Sequence, residues 1–78
     1  MNWKSEQHNI MGEFGFWRNK DNSGFVEVNA VENPITLREN GKYQLAINTP
    51  YTLKTRYFND LDEAVNFAVK WMREHPQG

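Results

Sequence analysis

Thr52-Leu53-Lys54-Thr55-Arg56-Tyr57-Phe58, followed directly by Asn59-Asp60-Leu61-Asp62-Glu63-Ala64-Val65-Asn66-Phe67-Ala68-Val69-Lys70-Trp71-Met72-Arg73-Glu74-His75, is the stretch whose reading decides the fold. The first seven residues read as an extended segment. The rest read as one amphipathic helix from Asn59 to His75. Leu61, Ala64, Val65, Ala68, Trp71 and Met72 recur at spacings of three and four, which puts them on one apolar stripe, and Phe67 widens it. Asp60 followed by Glu63 is a variant of the capping box, and Asp60, Asp62 and Glu63 sit where the helix dipole favours anions. Lys70 and Arg73 lie near the other end, and Pro76 cannot continue the helix. A helix of this length is marginal alone and needs a surface to cover.

The surface it covers is read from the residues before it. Gly12 to Arg18 alternates, with Phe14 and Phe16 on one side and Gly15 and Trp17 on the other. Asn19 to Gly24 has the composition of a turn. Phe25 to Val31 is a second strand, so the two form a hairpin, and Pro34 ends it. Ile35 to Glu39 reads as a third short strand. Asn40-Gly41 then stands between alternating runs, the signature of a type I′ hairpin turn leading into Lys42 to Asn48. Asn48-Thr49-Pro50 turns the chain into Thr52 to Phe58. The expected fold is therefore α+β: an antiparallel β-meander of three to five short strands packed against one C-terminal α-helix. Residues 1–11 are mostly polar and are expected as a flexible arm, with Trp3 or Ile10 docking on the core. Residues 12–78 are expected as a single domain.

Composition narrows the function. A chain of 78 residues has room for one domain with a thin core, partly offset by eleven aromatic side chains. The absence of cysteine excludes a disulfide scaffold and a thiolate metal site. Residues 1–9 lack the apolar core of a signal peptide, and no run approaches a membrane span, so a cytoplasmic location is expected. His8 and His75 lie at opposite ends of the chain without metal-ligand spacing. The three acids at the helix start are accounted for by capping. No phosphate loop or nucleophile motif occurs. The expectation is a non-enzymatic binding module without cofactor or metal, as a monomer or homodimer.

Charge points to where it would bind. The net charge is −1, yet residues 35–58 carry Arg38, Lys42, Lys54 and Arg56 against Glu39 alone. Strict alternation places Leu37, Tyr43, Leu45, Ile47, Leu53 and Tyr57, with Ile35, under the helix. The opposite set holds Thr36, Arg38, Lys42, Gln44, Lys54 and Arg56. Such a face solubilises an exposed strand and blocks edge pairing. It also suits a sheet laid on phosphates or into a DNA groove, and it suits an acidic protein partner. The aromatic hairpin offers an alternative. If Phe14 and Phe16 point inward beneath the helix, Trp17 and Phe25 point outward beside Arg18 and would anchor a protein or stack on single-stranded nucleic acid. A slip of one residue exchanges the two sets.

Gly41-Lys42-Tyr43, the basic last strand, Phe58 and Asp62-Glu63-Ala64 resemble the closing part of the arm-binding domains of phage integrases, which are themselves similar to the plant AP2 DNA-binding domain. The resemblance covers residues 35–74. It implies three antiparallel strands and a C-terminal helix, with the sheet in the major groove and Arg38, Lys42, Gln44, Lys54 and Arg56 on DNA. It departs from that family in the negative net charge. A small domain of this kind suits a phage or mobile element, as a DNA-binding protein or as an inhibitor or regulator of a host system.

Overall fold

In the computed structural model, which describes residues 2–77, neighbours in sequence are neighbours in the sheet. The strands are β1 (Lys4–Ser5), β2 (Glu13–Arg18), β3 (Phe25–Ala30), β4 (Tyr43–Asn48) and β5 (Leu53–Phe58). They pair antiparallel in the order β1-β2-β3-β4-β5. A short helix, α1 (Pro34–Glu39), lies between β3 and β4, and α2 (Leu61–Glu74) follows β5. The α+β meander with a C-terminal helix is thus the observed architecture. Among the described residues, no helix is long and apolar enough to cross a membrane.

The core lies between α2 and one face of the sheet. Val26 pairs with Ile47 and Val28 with Leu45, and all four are fully buried. Ala64, Ala68, Trp71 and Met72 meet them from the helix. The two alanines let the helix approach the sheet closely, while each buried Val, Leu or Ile contributes roughly 1.5–3 kcal/mol. Asp60 caps α2 by accepting from the backbone N–H groups of Asp62 and Glu63 at 2.8 and 3.4 Å. The β2–β3 turn closes on Asn19, which is almost fully buried. Its Oδ1 accepts from Gly24 N–H at 3.0 Å, and its Nδ2 donates to Ser23 Oγ at 2.9 Å.

Three expectations are corrected. Residues 35–39 belong to α1, not to a strand. Asn33 caps this helix by accepting from the N–H groups of Ile35 and Thr36, and Pro34 stands at its first turn, where its missing N–H and fixed φ suit a helix start. Ile35 and Leu37 are consequently exposed rather than beneath α2. Asn40-Gly41 is not a hairpin turn, since β4 pairs back onto β3. Finally, the arm expected as flexible over residues 1–11 contributes β1, while of the two residues expected to dock from it Trp3 does so and Ile10 is exposed. Trp3 is buried edge-on against Trp71, with ring centroids 5.9 Å apart.

Candidate functional site

Cross-strand partners share a face of the sheet, so the register assigns every side chain. Lys54 pairs with Ile47, Arg56 with Leu45 and Phe58 with Tyr43. Lys54, Arg56 and Phe58 therefore lie on the helix side. Leu53, Thr55 and Tyr57 lie on the open side, the reverse of the expected assignment. The reason is that β5 is the edge strand, where α2 leaves the margin of the sheet uncovered. Long cationic side chains fit this margin, because their aliphatic stems cover apolar surface while the charged heads reach water. Lys54 Nζ stands 5.7 Å from the centroid of the Phe67 ring. The Arg56 guanidinium stands 4.7 Å from the same centroid and 5.9 Å from that of Phe58. Two cations thus share one aromatic ring, a favourable electrostatic arrangement for both.

The five residues expected to form one basic face are dispersed. Arg38 is in the last turn of α1, and Lys42 lies between α1 and β4. Gln44 pairs with Asn29 and Tyr57 on the open face. Lys54 and Arg56 are on the opposite side. The four aromatic residues of the first hairpin are divided as well. Trp17 pairs with Val26 and packs against the core, its indole lying across Gly15, where any Cβ would collide with the ring. Phe16, expected beneath the helix, is on the open face and stacks on Phe25 at 5.3 Å. Phe14 occupies the irregularity between Glu13 and Gly15 and packs edge-on against Tyr43, half exposed. The alternation of Gly12–Arg18 was legible, but its phase was not, because aromatic residues occupy both sets.

Phe16 is buried on the open face because the chain before β2 folds over it. Arg18 places its guanidinium 5.1 Å from the Phe16 centroid and donates from Nε to Glu6 at 2.8 Å. The His8 ring lies 4.4 Å from Phe16, with Nε2 2.9 Å from Glu6 and Nδ1 3.1 Å from Glu13. A neutral imidazole carries one N–H, so the imidazolium alone satisfies both carboxylates. The hydrogen bond to Glu6, then that to Glu13, raises the His8 pKa. The hydrogen bond from His8, then the charge of Arg18, holds Glu6 below the usual carboxylate value. Nothing in the sequence marked this cluster, since its members are spread from position 6 to position 18.

The cluster has a pH signature. A raised His8 pKa contributes stability that is complete below the ordinary imidazole value and is lost as pH rises through the raised one. A lowered Glu6 pKa contributes stability that is present above the ordinary carboxyl value and is lost as pH falls through the lowered one. Both contributions are present between about pH 4.3 and 6.5. Thermal unfolding followed by circular dichroism from pH 4 to 9 should show Tm falling on the alkaline side of this window. In His8→Gln that decline should flatten. An unchanged alkaline decline in the variant would assign it to another group.

A cleft of about 430 Å³ opens between residues 5–10 and the start of β2. Its lining includes Ser5, Glu6, Gln7, His8 and Glu13, and it is mainly polar. The chain matches no protein-family model, no curated protein and no solved structure.

Proposed function

We propose that the chain is a non-catalytic module that binds a protein partner on the uncovered face of its sheet. The observation that carries this reading is the makeup of that face. Over β3, β4 and β5 it consists of Phe25, Glu27, Asn29, Gln44, Ala46, Asn48, Leu53, Thr55 and Tyr57. Leu53 is 83% exposed at the end of the row that runs through Asn48 to Phe25. Glu27 is the one charged residue among these nine. A sheet laid on phosphates draws its affinity from cations that release counterions; β3, β4 and β5 offer none on this face, and the cations at its β1–β2 margin are Lys4 and Arg18, the latter paired with Glu6. A surface of aromatic, aliphatic and amide side chains with a single carboxylate suits a protein interface, where aromatic anchors supply most of the energy. The resemblance to integrase arm-binding domains implies cations facing the DNA, and of the five residues it points to, Gln44 alone stands on this face.

Two measurements test the reading. A photo-crosslinking residue at Leu53 or Thr55 should capture a discrete protein in the host that encodes the chain, whereas the same residue at Asp62 on the outer surface of α2 should not. Phe25→Ala should weaken the association about 30-fold or more, as expected for an anchor contributing about 2 kcal/mol. In parallel, short duplex and single-stranded DNA titrated into the labelled chain at low salt should leave the amides of the open face unmoved. Shifts there that reverse with salt would replace the protein reading with a nucleic-acid one.

A further inference from the structure

The two ends of the sheet differ. At one end β1 is two residues long. At the other, β5 is six residues long and, among the described residues, pairs with β4 alone, which leaves its outer backbone N–H and C=O groups without a strand partner. An exposed edge of this kind is a template for another strand. Side chains flank it in two rows, Lys54 and Arg56 on the helix side and Leu53, Thr55 and Tyr57 on the open side. Lys54 and Arg56 are two residues apart, about 7 Å along a strand, which is also the spacing of alternate side chains in any extended peptide.

Among the described residues, no carboxylate stands within 4.0 Å of either cation, and the ion pairs involve Glu6, His8, Glu13 and Arg18. Phe67 holds both cations on the margin of the free edge. This arrangement disfavours a second copy of the chain as the occupant. An antiparallel self-pairing centred on Thr55 sets Lys54 opposite Arg56 twice, and one centred on either cation sets it opposite itself. Directly opposed like charges destabilise a strand pair, whereas opposite charges stabilise it.

From this we infer that β5 is a docking edge for an extended acidic segment of a partner protein. The segment adds as a sixth strand by main-chain hydrogen bonding, the mode known as β-augmentation. Carboxylates at two alternate positions meet Lys54 and Arg56, and the apolar side chains that flank them meet Leu53 and Tyr57. The inference deepens the protein-binding reading and rests on it, because the apolar row belongs to the open face.

The test uses the synthetic peptide Val-Glu-Val-Glu-Val-Glu, titrated to 1 mM into the full-length labelled chain and followed by NMR and amide hydrogen exchange. Saturable shifts over residues 53–58, with slowed exchange at the outward amides of β5, are the expected result. Lys54→Ser combined with Arg56→Ser should weaken binding at least tenfold. Replacing Glu by Lys in the peptide should abolish it, and so should N-methylation of alternate peptide amides, which leaves the protein unaltered. Equal binding of a peptide with the same composition but contiguous glutamates would overturn the proposal, since strand pairing requires alternation. So would equal binding of a single-stranded hexanucleotide with the same dependence on Lys54 and Arg56. Absence of binding at 1 mM would identify the cations as guards of the edge. Concentration-dependent dimerisation removed by Thr55→Pro would assign the edge to a second copy. In either of these last cases, crosslinking from Leu53 that persists would leave the open-face reading standing, whereas its loss would remove both.

Discussion

Trp3→Ala is expected to lower the stability by about 3–5 kcal/mol at 25 °C. Trp3 is 5% exposed, stands edge-on to Trp71 and donates from its indole nitrogen to the carbonyl of His75 at 2.9 Å. The last carbonyls of a helix lack partners within the helix. Here one of them is satisfied by a residue from the opposite end of the chain. The His75 ring also lies flat on Trp71 at 4.1 Å, and its Nδ1 reaches the Trp71 carbonyl at 2.8 Å. The start of the chain, the end of α2 and the core are thereby one packed unit. Truncating a buried Trp to Ala costs about 3–5 kcal/mol. A domain of this size has roughly 4–12 kcal/mol in total, so the loss removes much of its margin. Trp3→Phe keeps most of the ring and removes the hydrogen bond, at about 1 kcal/mol. Urea unfolding followed by far-UV circular dichroism checks both. A midpoint for Trp3→Ala equal to that of the parent would mean that residues 1–5 are the loose arm their polarity suggests.

That polarity misleads for a definite reason. Trp3 is a single large side chain among polar neighbours: its size marks it as a docking residue, but periodicity cannot register a single residue, so the order it brings to the chain around it is not legible. Helix α2 is legible because its signal is repeated over four turns. Its cap, its acidic first turn and its stripe through Ala64, Ala68, Trp71 and Met72 appear where the spacing puts them. The β2–β3 hairpin is legible because turn residues separate two alternating runs. The phase of β5 is not legible from hydropathy, since Leu53, Thr55 and Tyr57 form the more apolar set. Phe58 held the missing information. It immediately precedes the turn into α2 and packs on Phe67 at 5.6 Å, which fixes Arg56 and Lys54 on its own side. The candidate interaction surfaces follow from that one phase. With Leu53 and Tyr57 inside, the sheet presents a basic face; with them outside, β3, β4 and β5 present a face whose one charge is Glu27, and a basic edge.

Gly41→Ala is expected to cost about 2–5 kcal/mol, while Asn40→Ala should stay within about 0.5 kcal/mol of the parent. The contrast discriminates between two readings of the same dipeptide. In a type I′ turn both residues need positive φ, and both substitutions would matter. In the structure Asn40 has φ −115°, an ordinary value, and closes α1 through its N–H to the Thr36 carbonyl. Gly41 has φ +147° and is buried. A Cβ there would stand 2.9 Å from the carbonyl oxygen of Phe58 and 3.1 Å from its carbonyl carbon. These are backbone atoms at the junction of β5 and α2, so they cannot swing aside as a side chain would. The strained φ accounts for roughly 1–3 kcal/mol and the overpacking for a similar amount. Displacing Phe58 would also disturb its contact with Phe67, the ring that Lys54 and Arg56 share. Gly41→Ala should therefore shift the NMR signals of Lys54 and Arg56 as well as lower the unfolding midpoint. A midpoint lowered equally by Asn40→Ala would restore the hairpin reading and, with it, the strand in place of α1.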